Sequence, residues 1–228
     1  MKLNETTLQV LKNFAQINPN IVIDQGNSIK TIAEAKNVFA FATLKDEFPS
    51  RFGIYDLNEF LGVLNLVDEP NFSPNTGFAT ISDSTGRSQI KYYFTDPEML
   101  TSPSREVKMP PADVSFRLDT ETLSRIKSAA SALGHNEVAI TPTDGVITMT
   151  VFDSENNTGN TFSIDVPGKY DTSTKFNLVF NIGNLKKLIP TTYNVEISSK
   201  LISHFKSEDT ELPIEYFVAL EKTSKYGE

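Results

Sequence analysis

Two stretches of this chain repeat their apolar spacing in the same order, which points to two similar halves. Met1-x-Leu3-x4-Leu8-x2-Leu11 recurs as Phe116-x-Leu118-x4-Leu123-x2-Ile126, at one constant offset. Farther along, Tyr55-x-Leu57-x2-Phe60-x2-Val63-Leu64 recurs as Phe180-x-Ile182-x2-Leu185-x2-Leu188-Ile189, again at a single offset. Apolar residues three and four apart line one face of a helix. Each half is therefore expected to hold two amphipathic helices, at 4–18 and 56–67, then at 119–133 and 182–190.

The segments between the helices match as well. Ile21-Val22-Ile23 reads as a strand that turns at Asp24-Gln25-Gly26, and Val138-Ala139-Ile140 as its counterpart. The second strand turns at Asp144-Gly145, the strongest short hairpin signal in the chain. Val146 to Val151 is then rich in the β-branched residues that suit a pleated surface. Gly134 stands where a helix C-terminus favours glycine. Each half is expected to close on a pair of strands, Phe78–Ile81 with Ile90–Phe94 and Tyr193–Ile197 with Tyr216–Leu220. Between the halves, Pro97, Pro103, Pro110 and Pro111 suit an extended connector. The expected organisation is α+β: a first domain at 1–95, a linker at 96–112 and a second domain at 113–228.

Charge is unevenly spread. The net charge of −8 would repel DNA at long range, since affinity for phosphate normally needs a basic surplus. Yet the acids of the four expected helices, Glu5, Asp56, Glu59, Asp119 and Glu121, all sit at or near first turns, where negative charge offsets the helix dipole or caps free amides. Beyond those turns the charged residues are Lys12, Arg125, Lys127, Lys186 and Lys187. The helices are neutral in sum, so the acidic surplus lies elsewhere. On the third helix Arg125 points away from the Leu123, Ile126, Ala130 and Leu133 stripe, with Lys127 on its flank. The second helix supplies no base.

Chemistry is scarce. The chain has no cysteine and two histidines, which excludes disulfides, thiolate metal sites and cysteine nucleophiles. His135 and His204 read as surface residues, and no phosphate-binding Gly-x4-Gly-Lys-Ser/Thr loop occurs. The acidic pairs Asp46-Glu47, Asp68-Glu69 and Glu208-Asp209 lie in polar connections. No enzyme and no cofactor are expected. No stretch approaches the roughly 18 apolar residues of a membrane span, and Met1-Lys2-Leu3-Asn4-Glu5 has no apolar leader core, so a soluble intracellular protein is expected.

Several segments resemble one family. Leu11-Lys12-Asn13-Phe14-Ala15-Gln16-Ile17-Asn18 is similar to the first helix of the sliding clamps of T-even-type bacteriophages. Ile54-Tyr55-Asp56-Leu57-Asn58-Glu59-Phe60-Leu61-Gly62-Val63-Leu64 resembles the start of their second helix. Asn181-Ile182-Gly183-Asn184-Leu185-Lys186 and Phe217-Val218-Ala219-Leu220-Glu221 resemble their fourth helix and last strand. The resemblance implies the DNA clamp fold: two tandem domains, each with two helices packed on antiparallel sheets, assembling as a homotrimer into a six-domain ring. It implies a processivity factor that encircles duplex DNA without reading sequence and tethers the replicative DNA polymerase. An ATP-driven clamp loader would place it, phage late-transcription factors would also use it, and its setting would be the cytoplasm of the infected bacterial host. Lys12, Arg125, Lys127, Lys186 and Lys187 would then face the pore. A partner's peptide would dock near Leu100, Val107 and Met109 of the linker and Val218 and Leu220 of the last strand. Ser124, Ser128 and Ser131 stand where the family more usually shows further bases, so a loose hold on phosphate is expected. The alternatives are a ring-forming tail or baseplate protein and a small hydrolase. Bases confined to helices favour the clamp, because a ring that need not slide on DNA has no use for them.

Overall fold

The structure is a computed structural model that describes residues 1–103, 107–156 and 158–227. The chain forms two compact units, Met1–Glu106 with Glu211–Ile214, and Val107–Thr210 with Glu215–Glu228. Residues 104–106 of the expected linker lie outside the described residues.

The first unit runs α1 (Glu5–Phe14), β1 (Ile21–Ile23), β2 (Gly26–Ile32), β3 (Val38–Phe48), β4 (Phe52–Ile54), α2 (Leu57–Leu64), β5 (Asn71–Asn75), β6 (Phe78–Ser82) and β7 (Gln89–Tyr93). A 3-10 turn at Pro97–Met99 follows. β1 pairs with β4, β2 with β3, and β5, β6 and β7 form a three-stranded sheet, all antiparallel. The side-chain carboxamide of Asn4 caps the Thr6 amide at the start of α1, and Asp56 caps Asn58 and Glu59 at the start of α2. Val10, Leu11 and Phe14 of α1 and Leu57, Phe60, Leu61 and Leu64 of α2 are buried. An aromatic cluster fills this core: Phe60 meets Phe72 edge-on at 5.6 Å, and Phe52 stacks on Phe94 at 4.3 Å.

The second unit runs β8 (Val114–Leu118), α3 (Thr120–Leu133), β9 (Glu137–Thr143), β10 (Val146–Phe152), β11 (Phe162–Val166), β12 (Gly168–Tyr170), β13 (Phe176–Asn181), α4 (Ile182–Lys186), β14 (Tyr193–Ser198), β15 (Ile202–Ser207), β16 (Ile214–Ala219) and β17 (Lys225–Tyr226). One sheet has the order β11-β10-β9-β13-β17, and β12, β8, β14, β15 and β16 lie side by side in another. The β9–β10 hairpin turns on Asp144 and Gly145, with φ of 46° and 88°. Positive φ at both central residues gives the tight turn whose twist matches paired strands.

The units repeat one construction. In the first, the Leu57 amide donates to the Pro19 carbonyl at 2.7 Å; in the second, the Ile182 amide donates to the Asn136 carbonyl at 2.8 Å. Each bond ties the start of the second helix to the residues after the first. β1 pairs with β4 as β9 pairs with β13, and in each case the second strand of the pair leads into that helix.

Three expectations need correction. α1, α2 and α4 end earlier than 18, 67 and 190, because their last amides fall back on carbonyls three residues earlier, as Ile17 does on Phe14, Leu66 on Val63 and Leu188 on Leu185. Such tight turns satisfy terminal groups without extending the helix. Tyr193–Ile197 does not pair with Tyr216–Leu220, since β15 lies between them. β15 is a polar strand: Ser203 is buried with its hydroxyl donating to the Val218 carbonyl at 2.8 Å, while His204 and Lys206 find Glu215 on β16. His204 is accordingly no simple surface residue, since its ring is mostly covered and stacks on Phe217 at 4.5 Å.

Candidate nucleic-acid interface

The five bases singled out in the sequence occupy four kinds of surroundings. Lys12 is exposed in the last turn of α1, near the helix's negative end. α2 carries no base, and its outward residues are Asn58, Glu59 and Gly62. Arg125 is exposed on α3, its guanidinium 5.8 Å from the centre of the Phe162 ring. Lys186 is exposed in the last turn of α4, and Lys187 is half-buried at its C-cap.

Lys127 differs from all of these. Its ammonium donates to the Leu188 carbonyl at 2.8 Å, and burial pulls its pKa down to about 8. Ser124 and Ser128 are exposed beside Arg125, while the Ser131 hydroxyl turns back to the Lys127 carbonyl at 3.0 Å. The outer face of α3 therefore offers hydroxyls and one guanidinium. The acids stay at the helix starts: Asp119 caps the Thr122 amide at 2.7 Å, a hydrogen bond that holds its carboxyl below the usual range.

The residues expected to receive a partner's peptide divide by burial. Leu100, Val107 and Met109 are partly exposed. Val218 is 0% and Leu220 6% exposed, so neither presents a surface to a partner. The outward residues of β16 are Glu215, Phe217 and Ala219 instead, as strand alternation requires. The start of the connector is fastened to the first unit. The Thr95 amide donates to the Gly53 carbonyl at 2.9 Å, and Arg51 reaches Asp24 at 3.1 Å and Glu98 at 2.9 Å. Gly53 permits this approach, since a Cβ there would lie 2.5 Å from the Thr95 carbonyl oxygen and 2.8 Å from Leu100 Cδ1. Neither Gly53 nor Arg51 belongs to a recognisable sequence motif, and only the folded chain brings them to the connector.

Among the described residues no group of three or more His, Cys, Asp or Glu side chains could hold a metal, and no helix is long and apolar enough to cross a membrane.

Comparisons with known proteins agree over the whole chain. Residues 2–99 match the family described as DNA polymerase processivity factor, and residues 115–222 the family described as gp45 sliding clamp, C terminal. The sliding clamp of Vibrio phage KVP40 is 33% identical, covering 97% of this chain and 99% of its own. Those of Escherichia phage RB69 and Enterobacteria phage T4 are 32% and 30% identical, each covering 99% of both chains. Among solved structures, the proliferating cell nuclear antigen of Entamoeba histolytica superposes with a TM-score of 0.69 over 94% of both chains at 11% identity. The PCNA2–PCNA3 complex of Sulfolobus tokodaii gives 0.67 over 95% of this chain and 96% of the other. The fold is that of a tandem-domain clamp, and nothing in these relatives supports a tail or baseplate ring.

Proposed function

The chain belongs to the phage sliding-clamp family of DNA polymerase processivity factors, and from that membership we infer that it closes as a homotrimer around duplex DNA and tethers the replicative polymerase. It is not an enzyme: a clamp acts by holding its partner near the template. The observation that carries the reading is likeness along the full chain, joined to helices whose mid-length charges are all basic in an otherwise acidic protein. We assign Lys12, Arg125, Lys186 and Lys187 to the DNA-facing surface. Few bases suffice, because topology retains the DNA and groove-specific hydrogen bonds would stop the sliding.

Closure of the ring requires complementary edges, and each unit offers one. β7 ends the three-stranded sheet of the first unit and β11 ends the five-stranded sheet of the second; among the described residues no strand pairs with the outer side of either. An open edge of this kind is a template for another strand, and head-to-tail pairing of two different edges builds a closed ring when the rotation per copy fits. Tyr93 on β7 is 68% exposed, with Lys91 over its ring at 4.9 Å, and β11 offers the exposed acid Asp165. We take residues 1–95 and 113–228 as the two clamp domains and 96–112 as their linker, with Leu100, Val107 and Met109 as contacts for a partner's peptide. Loading by an ATP-driven clamp loader and use by late-transcription factors in the cytoplasm of the infected host complete the proposal.

Light scattering across a concentration series tests it. The expected molar mass is three times the 25.3 kDa chain, falling on dilution. A strictly monomeric protein at micromolar and higher concentrations would overturn the autonomous ring.

A further inference from the structure

Three side chains from three elements of the second unit converge on the two residues that follow the last turn of α4. The Lys127 ammonium from α3 donates to the Leu188 carbonyl at 2.8 Å. The Tyr216 hydroxyl from β16 accepts from the Ile189 amide at 3.2 Å, and the Tyr193 hydroxyl from β14 donates to the Ile189 carbonyl. Both tyrosines are fully buried, and burial pushes both phenols above their ordinary range. Leu188 and Ile189 have their side chains in the core, while Lys186, just before them, is exposed. α4 has only five residues, too few for its own ladder to fix where its end points.

We propose that Lys127 is a positioning residue, which with Tyr193 and Tyr216 forms a seat for the turn bearing Lys186 and Lys187 and makes no phosphate contact of its own. The inference rests on the DNA-facing reading given above and divides its basic residues into two classes. An ammonium that caps a carbonyl and is largely covered has one N–H donor and much of its solvation committed inside the unit. Drawing the ammonium outward to reach a phosphate would stretch or break its bond to the Leu188 carbonyl, and breaking it would cost about as much as a lost buried hydrogen bond. Among the described residues Lys186, which is exposed, has no such tie to break.

The titratable and charged groups of the elements around this turn are Glu121 and Arg125 on α3, Asp165 on β11, Lys186 and Lys187 on α4, Glu196 on β14, His204 and Lys206 on β15, and Glu215 on β16. Burial alone, not any of these charges, lowers the lysine from its usual 10.5 to about 8. Between those two values the unfolded chain binds more protons than the folded one, so folding stability rises with pH across that window. The phenols add an opposite trend only above their ordinary value of about 10.

The test uses the intact protein with a short duplex oligonucleotide, its affinity followed by fluorescence anisotropy over a salt series. Each phosphate contact removed should lower the slope of log K against log salt by about 0.9. Lys186→Met should show that loss, while Lys127→Met should keep the wild-type slope but bind more weakly at every salt concentration, because the turn bearing Lys186 and Lys187 is less firmly held. A slope lowered as much by Lys127→Met as by Lys186→Met overturns the seat. If neither Lys186→Met nor Lys12→Met changes the slope, the DNA-facing reading itself fails, which is a separate outcome. Thermal unfolding at pH 7 and pH 9.5 gives the second readout. The melting temperature of the wild type should gain on that of Lys127→Met between the two values, and Lys127→Arg, which cannot lose its proton, should show no such gain. A wild-type difference that does not move with pH overturns the proposal as well.

Discussion

At the scale of the residue, Thr7 is a polar group out of keeping with the interior of the first unit. Thr7 on α1 is fully buried, and its hydroxyl oxygen has no hydrogen-bond partner among the described residues. A buried hydroxyl left unpaired costs about 1–3 kcal/mol. Valine has the same branched shape and nearly the same helix propensity. Thr7→Val should therefore raise stability by about 1 kcal/mol, a rise in melting temperature of roughly 2–4 °C for a chain of this size. An unchanged or lower melting temperature in a thermal scan would refute it. Single residues were also where the sequence was least legible. Lys127 and Lys186 look alike as letters on amphipathic helices, and only the Leu188 carbonyl, 61 positions from Lys127, separates an inward tie from an outward charge. The resemblance points to Val218 and Leu220 as partner contacts, whereas alternation along β16 turns Val218 inward and Phe217 outward, and Leu220 just past the strand is buried as well.

At the scale of the element, local chemistry was readable wherever a structure depends on its own few residues. Asp56 and Asp119 stand as N-caps, Gly134 closes α3 in a left-handed conformation, and Asp144-Gly145 makes the β9–β10 hairpin. β15 was not readable, because its inward face alternates Ser203 with Phe205 and its outward polar residues are answered by side chains of the neighbouring strands β14 and β16. The fastening of the connector to β4 was equally hidden, since it depends on the absence of a side chain at Gly53. Gly53→Ala should force Thr95 and Leu100 away from β4, as a Cβ 2.5 Å from a carbonyl oxygen cannot be accommodated in place. Overpacking of this kind costs about 1–3 kcal/mol. Hydrogen exchange at the Thr95 amide, which now donates to Gly53, should accelerate. Unaltered protection there would show that the backbone absorbs the methyl group elsewhere.

At the scale of the whole molecule, the duplicated spacing in the sequence corresponds to a duplicated construction, down to the matched bonds from Leu57 to Pro19 and from Ile182 to Asn136. The open edges at β7 and β11 could not be read in advance, because an edge is a property of strand order and not of any strand's own sequence. If those edges form the seams between copies, Tyr93→Glu should abolish assembly and leave each subunit folded, since Tyr93 is exposed within the chain and surface substitutions usually shift stability by less than about 0.5 kcal/mol. The measured mass should fall to that of one chain with an unchanged circular dichroism spectrum; a mass still three times larger would place the seams elsewhere. The seat beneath α4 also has a consequence in time. Tyr216 lies 27 residues beyond the Ile189 amide that it holds, so a growing chain must be synthesised well past α4 before that amide meets its acceptor. α4 and its two lysines should thus settle into their final orientation late, after the strand carrying Tyr216 has been laid down, so that in a nascent second unit the strands up to β15 can pair while its basic turn is still loose.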